Sequence, residues 1–231
     1  MLDYPQWRGK DKMLKIVVYD SGFGGELFAD YLEEQLCVAE IIRVIDWRHA
    51  DELLKGRKSA RRAAEEALRP YIGQVDLIIF ANHLLSATSL KYFYRKYKNQ
   101  KFIGFKLIQP DVTTNRPALI LTTTAMSRTI NYYNFIFRLK CHTMTITEDD
   151  WLAKIDDGEL TPHEIKEGIT KLILVKGFSP KDLILAGAQF SDIKNELRSA
   201  LGHNIKIHDS FNVAYRDACK ILKIRGGCYH K

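Results

Sequence analysis

Short apolar runs alternate with longer amphipathic stretches along most of the chain. Residues 15–19 (KIVVY) form a continuous β-branched run, the pattern of a strand buried on both faces. The run closes on Asp20-Ser21-Gly22-Phe23-Gly24-Gly25, a glycine-rich turn, and residues 27–36 then read as a helix. A second strand is expected at 41–45, followed by a basic loop and a long helix over 59–72. Residues 76–80 (DLIIF) are a third strand closing on Ala81-Asn82-His83, with a helix over 86–97 and a fourth strand at 102–105. This alternation predicts an open, doubly wound parallel sheet.

The pattern then restarts. Residues 118–121 are an apolar run closing on Thr122-Thr123-Thr124-Ala125, with a helix expected through Arg138 and a short strand at 143–146. Thr161-Pro162-His163-Glu164 has the spacing of a capping box with proline at the first helical position, and opens a helix to Lys176. Residues 182–185 (DLIL) are another strand, ending in Ala186-Gly187-Ala188-Gln189, with a helix over 192–201. Asp76-Leu77-Ile78 recurs as Asp182-Leu183-Ile184, and the strand at 15–19 recurs at 118–121 in the same order. The chain therefore reads as an internally duplicated α/β protein. The first domain spans 14–104, closed by a returning segment at 205–225, the second spans 105–204, and 1–13 and 226–231 are tails. Ligands of such sheets bind at the carboxyl ends of the strands, here expected in a cleft between the halves.

Composition narrows the class. The chain has 231 residues, 46% of them hydrophobic, which suits a folded globular protein and excludes a disordered or fibrous one. No apolar run is long enough to span a bilayer and the N-terminus lacks a secretory core, so a cytoplasmic protein without membrane attachment is expected. Thirty-five basic against 28 acidic residues give a net charge of +7, which permits an acidic partner such as a nucleic acid without demanding one. The densest basic stretch, 55–62 (KGRKSARR), is followed by Glu65 and Glu66, the spacing of an ion-paired helix face. Cys37, Cys141, Cys219 and Cys228 form no CxxC pair, so neither a metal site nor a disulfide framework is expected.

The loops carry a resemblance. Residues 17–25 (VVYDSGFGG) resemble the opening of glutamate racemases and their aspartate/glutamate racemase relatives, whose first loop reads DSGxGG. Asp46 after the second strand and Lys58-Ser59 at the next helix stay in register. Residues 79–88 are similar to that family's CNTA segment, with Asn82 kept, and 121–132 to its ATxxTxxSxxY stretch, with Thr123, Thr129 and Tyr132. Residues 185–191 fall where the family has GCTHYP, and Asp209-Ser210 where it has a strand-final Asp-Ser. The similarity runs from Lys15 to Asp217 and implies the two-domain racemase fold.

The resemblance implies cofactor-independent chemistry in which two cysteine thiolates face the substrate α-carbon. Here Ala81 and Gly187 stand at those two places, and Ala188 and Gln189 follow where the family has Thr and His. Neither alanine nor glycine can carry a proton, so loss of two-base racemisation is expected. Candidate ligand-binding groups are Asp20, Ser21, Asn82, His83, Thr123, Ser127 and Gln189, each of which is also a good turn or cap residue. Arg48, His49 and Arg128 add positive charge at the loop mouths. The family's PYG loop is rewritten as residues 47–56 (WRHADELLKG). Three readings follow: a racemase-like protein that binds a small acidic metabolite without racemising it, an isomerase, lyase or hydrolase using His83 or Asp20 as a single base, and a nucleic-acid or protein-binding module. A homodimer is compatible with all three, and no cofactor is implied.

Overall fold

The computed structural model describes residues 13–107 and 116–224, so the expected tails lie outside the described residues apart from Met13. The chain divides into two compact units, residues 1–106 with 211–231, and residues 107–210.

In the first unit β1 (Leu14–Asp20), α1 (Phe23–Gln35), β2 (Ala39–Ile45), α2 (Ala50–Leu54), α3 (Arg57–Leu68), β3 (Leu77–Phe80), α4 (His83–Lys96) and β4 (Phe102–Gly104) follow in chain order. The strands form one parallel sheet of order β2-β1-β3-β4. β1 and β3 are buried on both faces, as their unbroken apolar runs require. Val17, Tyr19, Ile78 and Phe80 pack with Phe93 and Phe102 against α3, which presents Ala60, Ala64 and Leu68. Small residues let that helix lie close to the sheet, while Arg57, Arg62 and Glu66 face outward and Arg61 and Glu65 engage α4.

The second unit repeats the plan with β5 (Ala118–Thr122), α5 (Thr124–Ser127), α6 (Ile130–Arg138), β6 (Thr143–Thr147), α7 (Asp149–Asp156), α8 (Pro162–Lys176), β7 (Asp182–Ala186), α9 (Lys194–Leu201) and β8 (Lys206–His208). Its sheet is also parallel, of order β6-β5-β7-β8, the same order as the first. The two-domain α/β reading holds. Residues 206–208, grouped at first with the returning segment, pair with β7 in this second sheet. The return to the first unit begins with α10 (Phe211–Leu222), whose Phe211 ring lies 5.1 Å from Phe28 and 5.7 Å from Phe105.

Several boundaries differ from expectation for physical reasons. α1 starts inside the glycine turn, because Gly24 and Gly25 leave room for its first turn against the strand end. The single helix expected through Arg138 is two, since the Thr129 side chain accepts from Tyr132 N–H and starts a new helix. The expectation of no disulfide is overturned at Cys37, which is disulfide-bonded, while Cys141 and Cys219 are free thiols. No group of three or more His, Cys, Asp or Glu among the described residues is arranged to hold a metal ion. No helix among them is long and apolar enough to cross a membrane.

Candidate functional site

A strand order of 2-1-3-4 places the chain reversal between the first and third strands, and open α/β sheets bind ligands at the carboxyl end of such a reversal. In the first unit the loops there are 20–25 and 81–84; in the second they are 122–127 and 187–189. These are the loops in which the sequence places its polar candidates.

Asp20 ends β1 with 1% exposure. Its Oδ1 accepts from Ser21 N–H at 2.7 Å and from Asn82 Nδ2 at 2.9 Å, which ties the first loop to the third. Asn82 also caps α4, its Oδ1 accepting from Leu85 N–H at 2.9 Å. Gly25 is required here: a Cβ on it would stand 2.5 Å from the Asp20 Cβ and 2.7 Å from Ile45 Cδ1. Only a bare backbone lets α1 approach the carboxylate this closely. Ser21 Oγ has no hydrogen-bond partner among the described residues.

The Tyr19 hydroxyl lies beneath this network, fully buried, with no hydrogen-bond partner among the described residues. Burial first, then the negative charges of Asp46 and Asp20, push the phenol far above its ordinary range.

His83, the candidate base, opens α4 with 5% exposure, its ring edge-on to Phe105 at a centroid distance of 5.3 Å. A second histidine lies at the same end of the sheet. His49 follows β2 in a 3₁₀ turn, and its Nδ1 lies 2.7 Å from Oδ2 of the buried Asp46. The sequence offered a signal for this pair, an Asp directly after a strand with His three residues on.

In the second unit most candidate hydroxyls serve the local backbone. Thr123 Oγ1 accepts from Met126 N–H at 3.0 Å as the cap of α5, and Ser127 Oγ donates to the Thr124 carbonyl at 2.9 Å. Tyr132 is buried, its hydroxyl bonded to Thr145. The Gln189 side-chain amide is half-buried and makes no hydrogen bond among the described residues. Asp209 pairs with Lys194, and Ser210 is buried.

Ala81 and Gly187 occupy equivalent places, each immediately after the third strand of its sheet, and both are buried. A Cβ on Gly187 would meet Cδ2 and Cε2 of Phe190 at 2.8 Å, and Phe190 has no exposed surface into which to retreat.

Paired α/β units of this kind are also the fold of solved glutamate and aspartate racemases. The chain is similar to the glutamate racemase of Escherichia coli, solved with L-glutamate and the activator UDP-MurNAc-ala. The TM-score is 0.77 at 18% identity over 94% of this chain and 86% of that one. Against the Francisella tularensis subsp. tularensis glutamate racemase, solved with D-glutamate, the TM-score is 0.73 at 19% identity, covering 92% and 84%. An aspartate racemase from Picrophilus torridus gives 0.59 at 14%, covering 93% and 96%. At these identities the likeness is one of fold. No family profile matches the chain, and no curated protein matches it in sequence.

Proposed function

We propose that this chain is a glutamate racemase-like protein that has lost two-thiol racemisation and binds a small acidic metabolite at the carboxyl ends of its strands. The observation that carries the reading is the pair Ala81 and Gly187. They sit at matching strand ends, where the resemblance puts the two proton carriers, and neither has a titratable group. General acid–base groups contribute roughly 10²–10⁴-fold each, so both losses together remove the reaction. The Phe190 ring beneath Gly187 supports the same reading, because it fills space that a thiol at that position would need. Ser21 Oγ supplies a donor without an internal partner for a carboxylate, beside N–H groups at the start of α1, which has no side-chain cap.

Purified protein incubated with L-glutamate, L-aspartate or their D-enantiomers is expected to give no inversion by chiral chromatography. Protein-dependent inversion of any of them overturns the reading. Binding is tested separately by thermal shift with dicarboxylates and acidic amino acids. A bound ligand raises the melting temperature by mass action, and Ser21→Ala is expected to reduce that rise.

A further inference from the structure

Asp46 follows the end of β2 with 5% exposure. A carboxylate placed just before a helical turn ordinarily accepts from the backbone N–H groups of that turn. This one makes no such cap bond; Oδ2 meets Nδ1 of His49 at 2.7 Å instead. Burying a carboxylate is costly unless it is paired. Arg48 is more distant, its Nε 4.0 Å from Oδ1 on a side chain 89% exposed. The imidazole is therefore the group that offsets the burial. Facing a carboxylate, Nδ1 carries the proton, a tautomer assigned from the hydrogen bond, and Nε2 keeps its lone pair. Nε2 has no hydrogen-bond partner among the described residues, and the side chain is 26% exposed. The charges around the ring are Asp46 on one edge, Arg48 on the same turn and Glu52 from α2, the last held by Lys55 at 2.6 Å and by Ser59.

An imidazole oriented through Nδ1 by a buried carboxylate, with Nε2 open, is built to move a proton. The pair also stands at the binding loops, since Asp46 N–H donates to the Asp20 carbonyl at 2.8 Å. We propose that His49, positioned by Asp46, is the general base of a hydrolytic site for a small ester carrying a carboxylate. His49 Nε2 takes a proton from water as the water oxygen bonds to the ester carbonyl carbon and the π pair moves onto the carbonyl oxygen. The adduct collapses: the carbonyl re-forms, the C–O bond to the alcohol breaks, and the departing alkoxide takes the proton back from Nε2. One ester and one water give one acid and one alcohol, and the imidazole returns to its starting state. Arg48, exposed on the same turn, reads the substrate carboxylate. The inference rests on the ligand being held at this end of the first sheet, as proposed above.

The test uses the whole chain with the p-nitrophenyl monoester of glutaric acid and, for comparison, p-nitrophenyl acetate, following p-nitrophenolate release. The wild type is expected to hydrolyse the anionic ester in preference to the neutral one, and Arg48→Ala to erase the preference. His49→Ala is expected to lower kcat/KM at least ~100-fold, with His49→Gln as a second variant should the alanine fail to fold. His163→Ala, whose side chain is 86% exposed on α8, is expected to retain full activity and measures background surface reactivity. Asp46→Asn weakens the contact that orients Nδ1, so kcat is expected to fall while KM stays unchanged. Absence of hydrolysis in the wild type, or hydrolysis that survives His49→Ala and His49→Gln, overturns the assignment. A thermal shift with glutarate but no ester hydrolysis leaves the binding reading standing and sinks the dyad; absence of both removes the binding reading and the dyad with it.

Discussion

Gly187→Cys puts a Cβ and a sulfur where the edge of the Phe190 ring lies, in a place with no slack. Overpacking of this kind destabilises by about 1–3 kcal/mol. The double variant Ala81→Cys/Gly187→Cys is therefore expected to unfold at lower urea and to racemise nothing, because Ala188 and Gln189 also stand where the resemblance puts the Thr and His that would orient a thiol. Measurable turnover would mean that only the sulfurs are missing. Tyr19 gives a prediction of opposite sign. Leaving a buried donor unsatisfied costs roughly 1–3 kcal/mol, so Tyr19→Phe is expected to raise the urea midpoint. A fall would show that the hydroxyl makes a bond not seen here, to a water for instance. Residue types were legible in the sequence, but their employment was not. Thr123 and Asn82 read equally as ligand groups and as caps, and in the structure Thr123 Oγ1 and Asn82 Oδ1 cap helices. A cap and a ligand contact demand the same short polar side chain at the same strand end. His49 was visible only as positive charge at a loop mouth, since the burial of Asp46 that makes it a dyad is a property of packing.

The start of α8 was fully written in the sequence. Thr161 Oγ1 accepts from Glu164 N–H at 3.3 Å, and Glu164 Oε2 accepts from Thr161 N–H at 2.9 Å, the reciprocal bonds of a capping box. The hydrogen bond from the Lys154 ammonium, then that from the Thr161 backbone, hold the Glu164 carboxyl down at about 2, against 4.5 for a free glutamate. A depressed folded-state value stabilises the fold above the free value and loses that stabilisation as pH falls through the folded one. The melting temperature of the wild type is thus expected to exceed that of Glu164→Gln at pH 6, with the gap closing between pH 4.5 and 2. The group is exposed, so added salt should shrink the gap. A gap independent of pH would show that the side chain's shape, not its charge, holds the helix end. Elements without such chemistry were harder to read. α7 has eight residues and buries only Trp151 and Ile155, too little periodicity to separate from a polar loop. α2, of five residues, was read as a basic loop for the same reason.

Both sheets carry the same strand order, and the repeated Asp-Leu-Ile opens the third strand of each, which is how duplication could be read from two short matches. The two aspartates do related work at the foot of their sheets. Asp76 accepts from Lys15 N–H at 2.8 Å, while Asp182 pairs with His208 at 2.8 Å and Arg116 at 3.1 Å. What the duplication does not repeat is continuity. The second unit is a single stretch of chain, 107–210, with four strands and its own buried core. The first needs α10 from the far end, because Phe211 completes an aromatic cluster with Phe28, Phe105 and Tyr31. Removing a buried phenylalanine costs about 3–5 kcal/mol, a large part of a small domain's stability. The fragment 107–210 is therefore expected to give a dispersed amide spectrum and a cooperative melt. The fragment 1–106 is expected to give neither until a peptide spanning 211–224 is added. Phe211→Ala in the full chain should lower the transition of the first unit and leave that of the second in place. If both transitions fall together, or if 1–106 folds unaided, the two units are not separate folding entities and α10 is not what closes the first.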